Sequence, residues 1–92
     1  MHDQLRAERA KINQIDAQLV QLLNERAQVA VDLGRLKAKL GAPVYDPARE
    51  GEVLEHIVSL NLGPLDKGAI EDIFSAIIGA CRQIQIPKQN KT

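Results

Sequence analysis

The stretch from Asp3 to Leu40 contains no proline and only one glycine, Gly34. Within it, apolar residues recur at alternating steps of three and four, which is the spacing that aligns them along one side of a helix. These seam residues are Leu5, Ile12, Ile15, Leu19, Leu22, Val29, Leu33, Leu36 and Leu40. The sequence therefore predicts one long helix that packs against another helix along this seam.

The length of this helix constrains the assembly. It would run for about 55 Å, whereas a compact chain of this size has a radius of gyration of about 12 Å. The only cysteine, Cys81, cannot form an intrachain disulfide, and His2 and His56 have no zinc-ligand spacing. We therefore expect a second chain to cover the seam, in an intertwined antiparallel homodimer whose two-fold axis crosses near Val20.

Three helices per chain and an all-α fold are predicted. Lys37 and Lys39 in the last turn, then Gly41 and Pro43, mark the end of the first helix. Asp46-Pro47 begins a second helix, which breaks at residues 61–64, and Asp66 caps a third that ends before Pro87. The third helix should bury Ile70, Ile73, Phe74, Ile77, Ile78, Cys81 and Ile84. Residues 1–86 then form one helical domain, and residues 87–92 a polar tail that we expect to be disordered.

Composition excludes several classes of function. Twelve Lys and Arg balance twelve Asp and Glu, and Tyr45 and Phe74 are the only aromatic residues, so neither a basic footprint nor a base-stacking platform for nucleic acid is present. The N-terminus carries charges where a signal peptide needs an apolar stretch, and no apolar run approaches the length of about 18 residues that a membrane helix needs. We expect a soluble, cytoplasmic protein with no structural metal site.

Two cations interrupt the apolar pattern. Arg26 occupies a seam position that is otherwise aliphatic from Ile12 to Leu40, and Lys37 returns to within roughly 20° of the same face. Together they could bracket a small anion, and Arg9 of an antiparallel partner would lie level with the space between them. Arg26 could instead fix the helix register, Lys37 could stabilise the helix C-terminus, and Arg9 could be a solvated surface charge.

The other candidates lie on the second and third helices. Asp46, Arg49 and Glu50 crowd the first turn of the second helix, where capping alone would explain the two carboxylates. Cys81 and Gln85 are four residues apart and share a face of the third helix. Cys81 could equally be a small core residue and Gln85 a surface residue.

Five separated blocks of sequence resemble the all-helical chorismate mutases. They are Arg9-x-Lys11-Ile12-x-x-Ile15-Asp16, Leu22-Leu23-x-Glu25-Arg26, Val31-x-x-Gly34-x-x-Lys37, Pro43-Val44-x-Asp46-x-x-Arg49-Glu50 and Ile77-Ile78-x-x-Cys81-x-x-x-Gln85. The resemblance covers residues 6–85 in order and spacing. It implies an intertwined dimer with two active sites that convert chorismate to prephenate, a Claisen rearrangement that needs no cofactor.

The resemblance also implies roles for individual residues. Lys37, Gln85 and Arg26 would be catalytic, with Lys37 and Gln85 as donors to the breaking ether oxygen. Substrate would be bound by Arg26, Lys37, Asp46, Arg49, Glu50, Cys81 and Gln85 of one chain and by Arg9 of the other. Cys81 stands where the family often has serine, and a thiol is a weaker hydrogen-bond donor.

Two other functions fit parts of the pattern. One is a lyase on the same scaffold that expels pyruvate from isochorismate, which is a related pericyclic reaction on a near-identical dianion. The other is a non-catalytic helical dimerisation module, in which Arg26 and Lys37 could be replaced without loss of stability. Because a buried cationic cluster without a ligand would destabilise a dimer, the second is the weaker alternative.

Overall fold

The computed structural model describes residues 2–85, which form three α-helices joined by short connections. The helices are α1 (His2–Leu40), α2 (Pro47–Leu60) and α3 (Lys67–Gln85). The predicted all-α fold, with one very long helix, is confirmed over these residues. The polar tail predicted for residues 87–92 lies outside the described residues. No helix within residues 2–85 combines the length and hydropathy needed to span a bilayer.

The C-terminus of α1 is closed by a glycine. Gly41 has a φ of 71°, in the left-handed region where a side chain would be strained. Its backbone N–H donates to the Ala38 carbonyl at 3.4 Å, and the Ala42 N–H donates to the Lys37 carbonyl at 2.9 Å. This pair of bonds is a Schellman motif. It ends α1 one turn after Lys37 and turns the chain back toward that side chain.

Aspartate side chains cap the other two helices, as predicted from the sequence. Asp46 Oδ1 accepts a hydrogen bond from the Arg49 N–H at 3.1 Å, and Pro47 occupies the first position of α2. Asp66 Oδ1 accepts from the Ala69 N–H at 2.8 Å at the start of α3. Each cap satisfies a backbone donor that the first turn of a helix leaves without a partner.

Helix α3 packs against both α1 and α2. Helices α1 and α3 approach each other closely at Gly34, where an added Cβ would lie 3.1 Å from the backbone oxygen of Gln85. Gly34 is buried, and its cost of about 1 kcal/mol relative to alanine inside a helix is explained by this contact. The glycine therefore allows the end of α3 to lie directly against α1.

A single chain buries very little apolar surface. Among residues 2–85, the hydrophobic side chains that are buried belong to Ala30, Ile78 and Cys81. Ile73 and Ile84 were expected on the buried side of α3, but they are 45% and 49% exposed because one chain covers only part of that face. The radius of gyration is 17.2 Å and the longest extent is 58 Å. The seam of α1 is accordingly exposed along its length.

Candidate active site

A cavity of about 320 Å³ lies where the second half of α1 meets α2 and α3. Its lining combines charged groups with apolar ones, and it includes every site residue predicted from the sequence except Arg9. The lining residues are Arg26, Val29, Ala30, Leu33, Lys37, Val44, Asp46, Arg49, Glu50, Val53, Ile78, Cys81, Arg82 and Gln85. Residues far apart in sequence are thus brought to one site by the packing of α3 on the other helices.

Lys37 and Gln85 are in direct contact in this cavity. The Lys37 ammonium donates to the Gln85 side-chain oxygen at 3.4 Å and to the Val44 backbone carbonyl at 3.3 Å. Because the oxygen of the Gln85 amide is engaged by Lys37, its NH₂ group is left to donate elsewhere. The pair therefore offers an ammonium and an amide donor side by side, on α1 and α3.

The first turn of α2 contributes one wall of the cavity. Asp46 is engaged in capping the helix, through the bond to the Arg49 N–H. The Arg49 guanidinium forms an exposed ion pair with Glu52 at 3.4 Å, with both side chains about two-thirds exposed. An exposed pair of this kind contributes little to stability, so Arg49 can exchange this partner for an anion in the cavity at small cost.

Arg82 on α3 is a residue that sequence analysis missed. Its Nη1 donates to both carboxylate oxygens of Glu50, at 2.7 and 2.6 Å. The guanidinium carbon also lies 5.0 Å from the centroid of the Tyr45 ring, within the range of a cation–π interaction. The hydrogen bond that Arg82 donates to the Glu50 carboxylate raises the pKa of Arg82 above its ordinary value, although burial acts in the opposite direction.

One sequence signal could have pointed to Arg82. It precedes Gln85 by three residues and so shares a face of α3 with it. Its partner Glu50 is 32 positions away, on another helix, and no spacing rule predicts that pairing. The neighbouring Cys81 is buried and also lines the cavity. Its burial is that of a small core residue, which is one of the two interpretations that the sequence allowed.

Arg9 lies outside the cavity. It is exposed on α1, about 25 Å along the helix axis from Arg26. Arg26 itself is half-buried and lines the cavity. A single chain therefore brings together all of the predicted site residues but this one.

The charge of the lining suits a small dianion. Arg26, Lys37, Arg49 and Arg82 face two carboxylates, those of Asp46 and Glu50, which leaves a formal excess of two positive charges. The guanidinium groups can bind carboxylates through two parallel hydrogen bonds, while apolar side chains from α1 and α3 exclude water from part of the space. Within residues 2–85, His, Cys, Asp and Glu nowhere form a group of three or more placed to hold a metal ion.

Sequence comparison relates this chain to a known family. The sequence pattern of "Chorismate mutase type II" matches residues 8–86. A bifunctional chorismate mutase/prephenate dehydratase of Pseudomonas aeruginosa is 43% identical over 90 residues, which cover 92% of this chain and 25% of that protein. The corresponding protein of Aquifex aeolicus is 36% identical over 87 residues, covering 90% and 24%. The chain thus spans about a quarter of the length of these curated relatives.

Two solved chorismate mutases share the fold of this chain. Form II of the Thermus thermophilus chorismate mutase aligns with a TM-score of 0.90 and 30% identity, over 95% of this chain and 99% of that one. A chorismate mutase from Helicobacter pylori, crystallised in complex with prephenate, aligns with a TM-score of 0.80 and 26% identity, over 88% of each chain. The fold, the family pattern and the cationic cavity therefore agree.

Proposed function

The chain belongs to the chorismate mutase type II family, and we propose that it converts chorismate to prephenate by an intramolecular Claisen rearrangement. The observation that carries this proposal is the cavity in which Lys37 and Gln85 are paired beside an excess of two positive charges. Chorismate is a dianion, so the charge of the cavity matches that of the substrate. The relatives of this chain that carry the family name support the same reaction.

The proposed reaction requires groups that bind and orient the substrate, and it requires neither a nucleophile nor a general base. The rearrangement is unimolecular and pericyclic, so the enzyme must hold a flexible substrate in its compact reactive conformer and stabilise charge that develops on the breaking ether oxygen. Arginine forks suit the substrate carboxylates because they bind bidentately. A cavity lined by positioned donors, with part of its wall apolar, meets both requirements.

Lys37 and Gln85 are the proposed donors to the ether oxygen. Their mutual contact at 3.4 Å holds the amide oxygen of Gln85 toward the ammonium, which supports the assignment of its NH₂ group to the substrate. One donor aimed at developing charge typically contributes about 3 to 4 kcal/mol to transition-state stabilisation. Arg26 binds a substrate carboxylate, and Glu50, with the backbone of Asp46, accepts a hydrogen bond from the ring hydroxyl.

The active assembly that we propose is an intertwined antiparallel homodimer with two shared sites. The exposed seam supports it: Ile12 is 57%, Ile15 is 54% and Leu22 is 59% exposed in one chain. An antiparallel partner crossing near Val20 covers this seam and places its own Arg9 level with the space between Arg26 and Lys37. Each site then takes Arg9 from one chain and its remaining groups from the other.

An assay for consumption of chorismate by the purified chain tests the function. We expect chorismate to disappear and prephenate to form, with activity falling by about 100-fold or more in Lys37→Met. Arg35→Met is the matched control, because Arg35 is an exposed cation on the same helix and does not line the cavity. Formation of salicylate and pyruvate from isochorismate, with chorismate untouched, would instead identify the lyase, and no turnover of either would refute both.

A further inference from the structure

We propose that Arg82 is a positioning residue for the reaction, which holds the Glu50 carboxylate in the orientation that accepts the substrate's ring hydroxyl. This inference rests on the proposed function, because it assigns Arg82 a role in the same site. Arg82 is not among the residues that the family resemblance marks as binding substrate. Its place in the site comes from its contacts with Glu50 and Tyr45.

The contact between Arg82 and Glu50 differs from the other ion pairs of residues 2–85. Their side chains are 31% and 25% exposed, whereas both members of the Lys11–Glu8 pair are 67% exposed. Water and salt screen a half-buried pair less than an exposed one, so its geometry is held more firmly. Since one nitrogen of Arg82 bridges both oxygens of Glu50, it restrains rotation of the carboxylate as well as its position.

Arg82 is itself held from a second side. The Tyr45 ring lies against its guanidinium, in the connection between α1 and α2. Tyr45 stands between Val44, whose carbonyl accepts from Lys37, and Asp46, which caps α2. Arg82 therefore ties α3 to both the connection and the first turn of α2, and these are the segments that carry the polar groups at this end of the cavity.

The bond still leaves Glu50 able to accept from a ligand. An ionised carboxylate has about four acceptor positions on its two oxygens, and Arg82 occupies one on each. A hydroxyl can use one of those that remain. Arg82 thus acts on substrate through Glu50, and its removal should change how well Glu50 is placed rather than remove a group from the substrate.

Steady-state kinetics of Arg82→Met measure this role. Methionine keeps much of the length of the stem but has no donor for Glu50. Because the hydroxyl is bound in both substrate and transition state, we expect KM for chorismate to rise by about tenfold while kcat falls by less than about threefold. Arg82→Lys keeps a cation near Glu50 and should recover most of the lost affinity. Arg35→Met should leave both constants unchanged.

A double-mutant cycle with Glu50→Ala separates positioning from a general structural effect. If Arg82 acts through Glu50, adding Arg82→Met to Glu50→Ala should lower kcat/KM by less than about twofold. If the losses of kcat/KM in the two single variants multiply in the double variant, the positioning role would be overturned. An Arg82→Met enzyme with the KM of the wild type would overturn it as well. If Arg82→Met fails to fold, Arg82→Gln, which stays polar but removes the charge that holds Glu50, completes the same cycle in both backgrounds. A wild-type chain that does not consume chorismate would overturn the proposed function itself, and with it this inference.

Discussion

The two halves of α1 carry the same seam but have different surroundings. Every residue from His2 to Glu25 is exposed in a single chain. The half from Arg26 to Leu40 packs against α3, buries Ala30 and Gly34 and supplies Lys37 to the cavity. The difference shows that apolar spacing alone does not determine what covers a helix. The second half is covered by α3 of its own chain only around Ala30 and Gly34, and we call it the covered half; the first half, the uncovered half, has no such contact. The seam itself stays exposed in both halves and has no partner within one chain.

The same division applies to the charges. Arg9 lies on the uncovered half, while the other predicted site residues line the cavity at the covered end. If the uncovered half of one chain lies on the covered half of another, a single symmetric contact buries the seam and completes the site. Folding, assembly and activity would then depend on the same interface.

The largest effect should follow from a charge in the uncovered half. Leu19→Glu places a carboxylate on the seam close to the proposed two-fold axis, so the dimer would contain two such charges near each other. An unpaired charge at a packed interface costs several kcal/mol, and this is a large part of the free energy of unfolding of a small domain. We expect loss of the dimer in sedimentation, together with loss of helical circular dichroism and of measurable activity.

The matched control introduces the same charge off the seam. Gln14 is exposed on α1 and lies outside the apolar repeat, so Gln14→Glu should leave the sedimentation and the activity as they are. A folded and active monomer of the wild-type chain at micromolar concentration would contradict the dimer. Equal behaviour of Leu19→Glu and Gln14→Glu would contradict the role of the seam.

The next largest effect should come from Gln85→Glu in the covered half. At pH 7.5 this change replaces a donor with a carboxylate beside developing negative charge, and we expect kcat/KM to fall by about 100-fold. Only the protonated acid can donate, so activity should rise as the pH falls toward the ordinary glutamate pKa of about 4.3. Burial of the new carboxyl group would raise its pKa and so move the recovery of activity to higher pH. The Lys37 ammonium beside it would lower that pKa and move the recovery to lower pH.

Parallel pH profiles of kcat/KM for the two enzymes decide this prediction. The wild type should show no comparable gain on the acid side, so the ratio of variant to wild type should climb steadily as the pH is lowered. If the two profiles keep the same shape, Gln85 does not donate to the reacting oxygen.

Mixing two inactive variants tests whether the two halves of α1, from different chains, contribute to the same site. Arg9→Ala damages a residue of the uncovered half and Arg26→Ala one of the covered half, so each variant alone should be nearly inactive. A heterodimer of the two has one doubly damaged site and one intact site. With random exchange of chains, activity should return to about a quarter of the wild-type value.

Exchange must be measured along with activity. Differently tagged chains that are captured together prove that heterodimers have formed. If heterodimers form and no activity returns, Arg9 does not act across the interface, and the assignment of Arg9 to the partner's site is wrong.

Much of the fold could be predicted because it depends on local chemistry. The apolar spacing, the Gly41 terminus and the caps at Asp46 and Asp66 all act within a few residues, and each is found where the sequence placed it. The exposure of Ile73 was not predicted. Burial on α3 depends on which helix lies opposite, and a periodic pattern shows that a face is apolar without showing what covers it.

The site was predictable only in part, for the same reason. Arg26 and Lys37 were recognised because they interrupt an apolar pattern, and Gln85 because the family resemblance marks it. Arg82 does not interrupt an apolar pattern in α3. Its role depends on contact with Glu50, and this contact forms only because α2 packs against α3. Contacts between distant segments are determined by that packing, and no local rule reports them.

The smallest effect should come from Gly34→Ala, which alters how closely the covered half packs. The added Cβ would lie 3.1 Å from the Gln85 backbone oxygen and 3.2 Å from its Cα, so the end of α3 must move by a few tenths of an ångström. That shift displaces the Gln85 amide, and we expect kcat/KM to fall by about threefold, since larger misplacements of about 1 Å can cost 100-fold. Gly51→Ala is the control, because its Cβ would meet nothing within 4 Å and alanine favours the helix by about 1 kcal/mol. Thermal unfolding should therefore show that Gly51→Ala is more stable than the wild type, and its kcat/KM should be unchanged. If Gly34→Ala also has the kcat/KM of the wild type, the contact with Gln85 does not determine the position of the Gln85 amide.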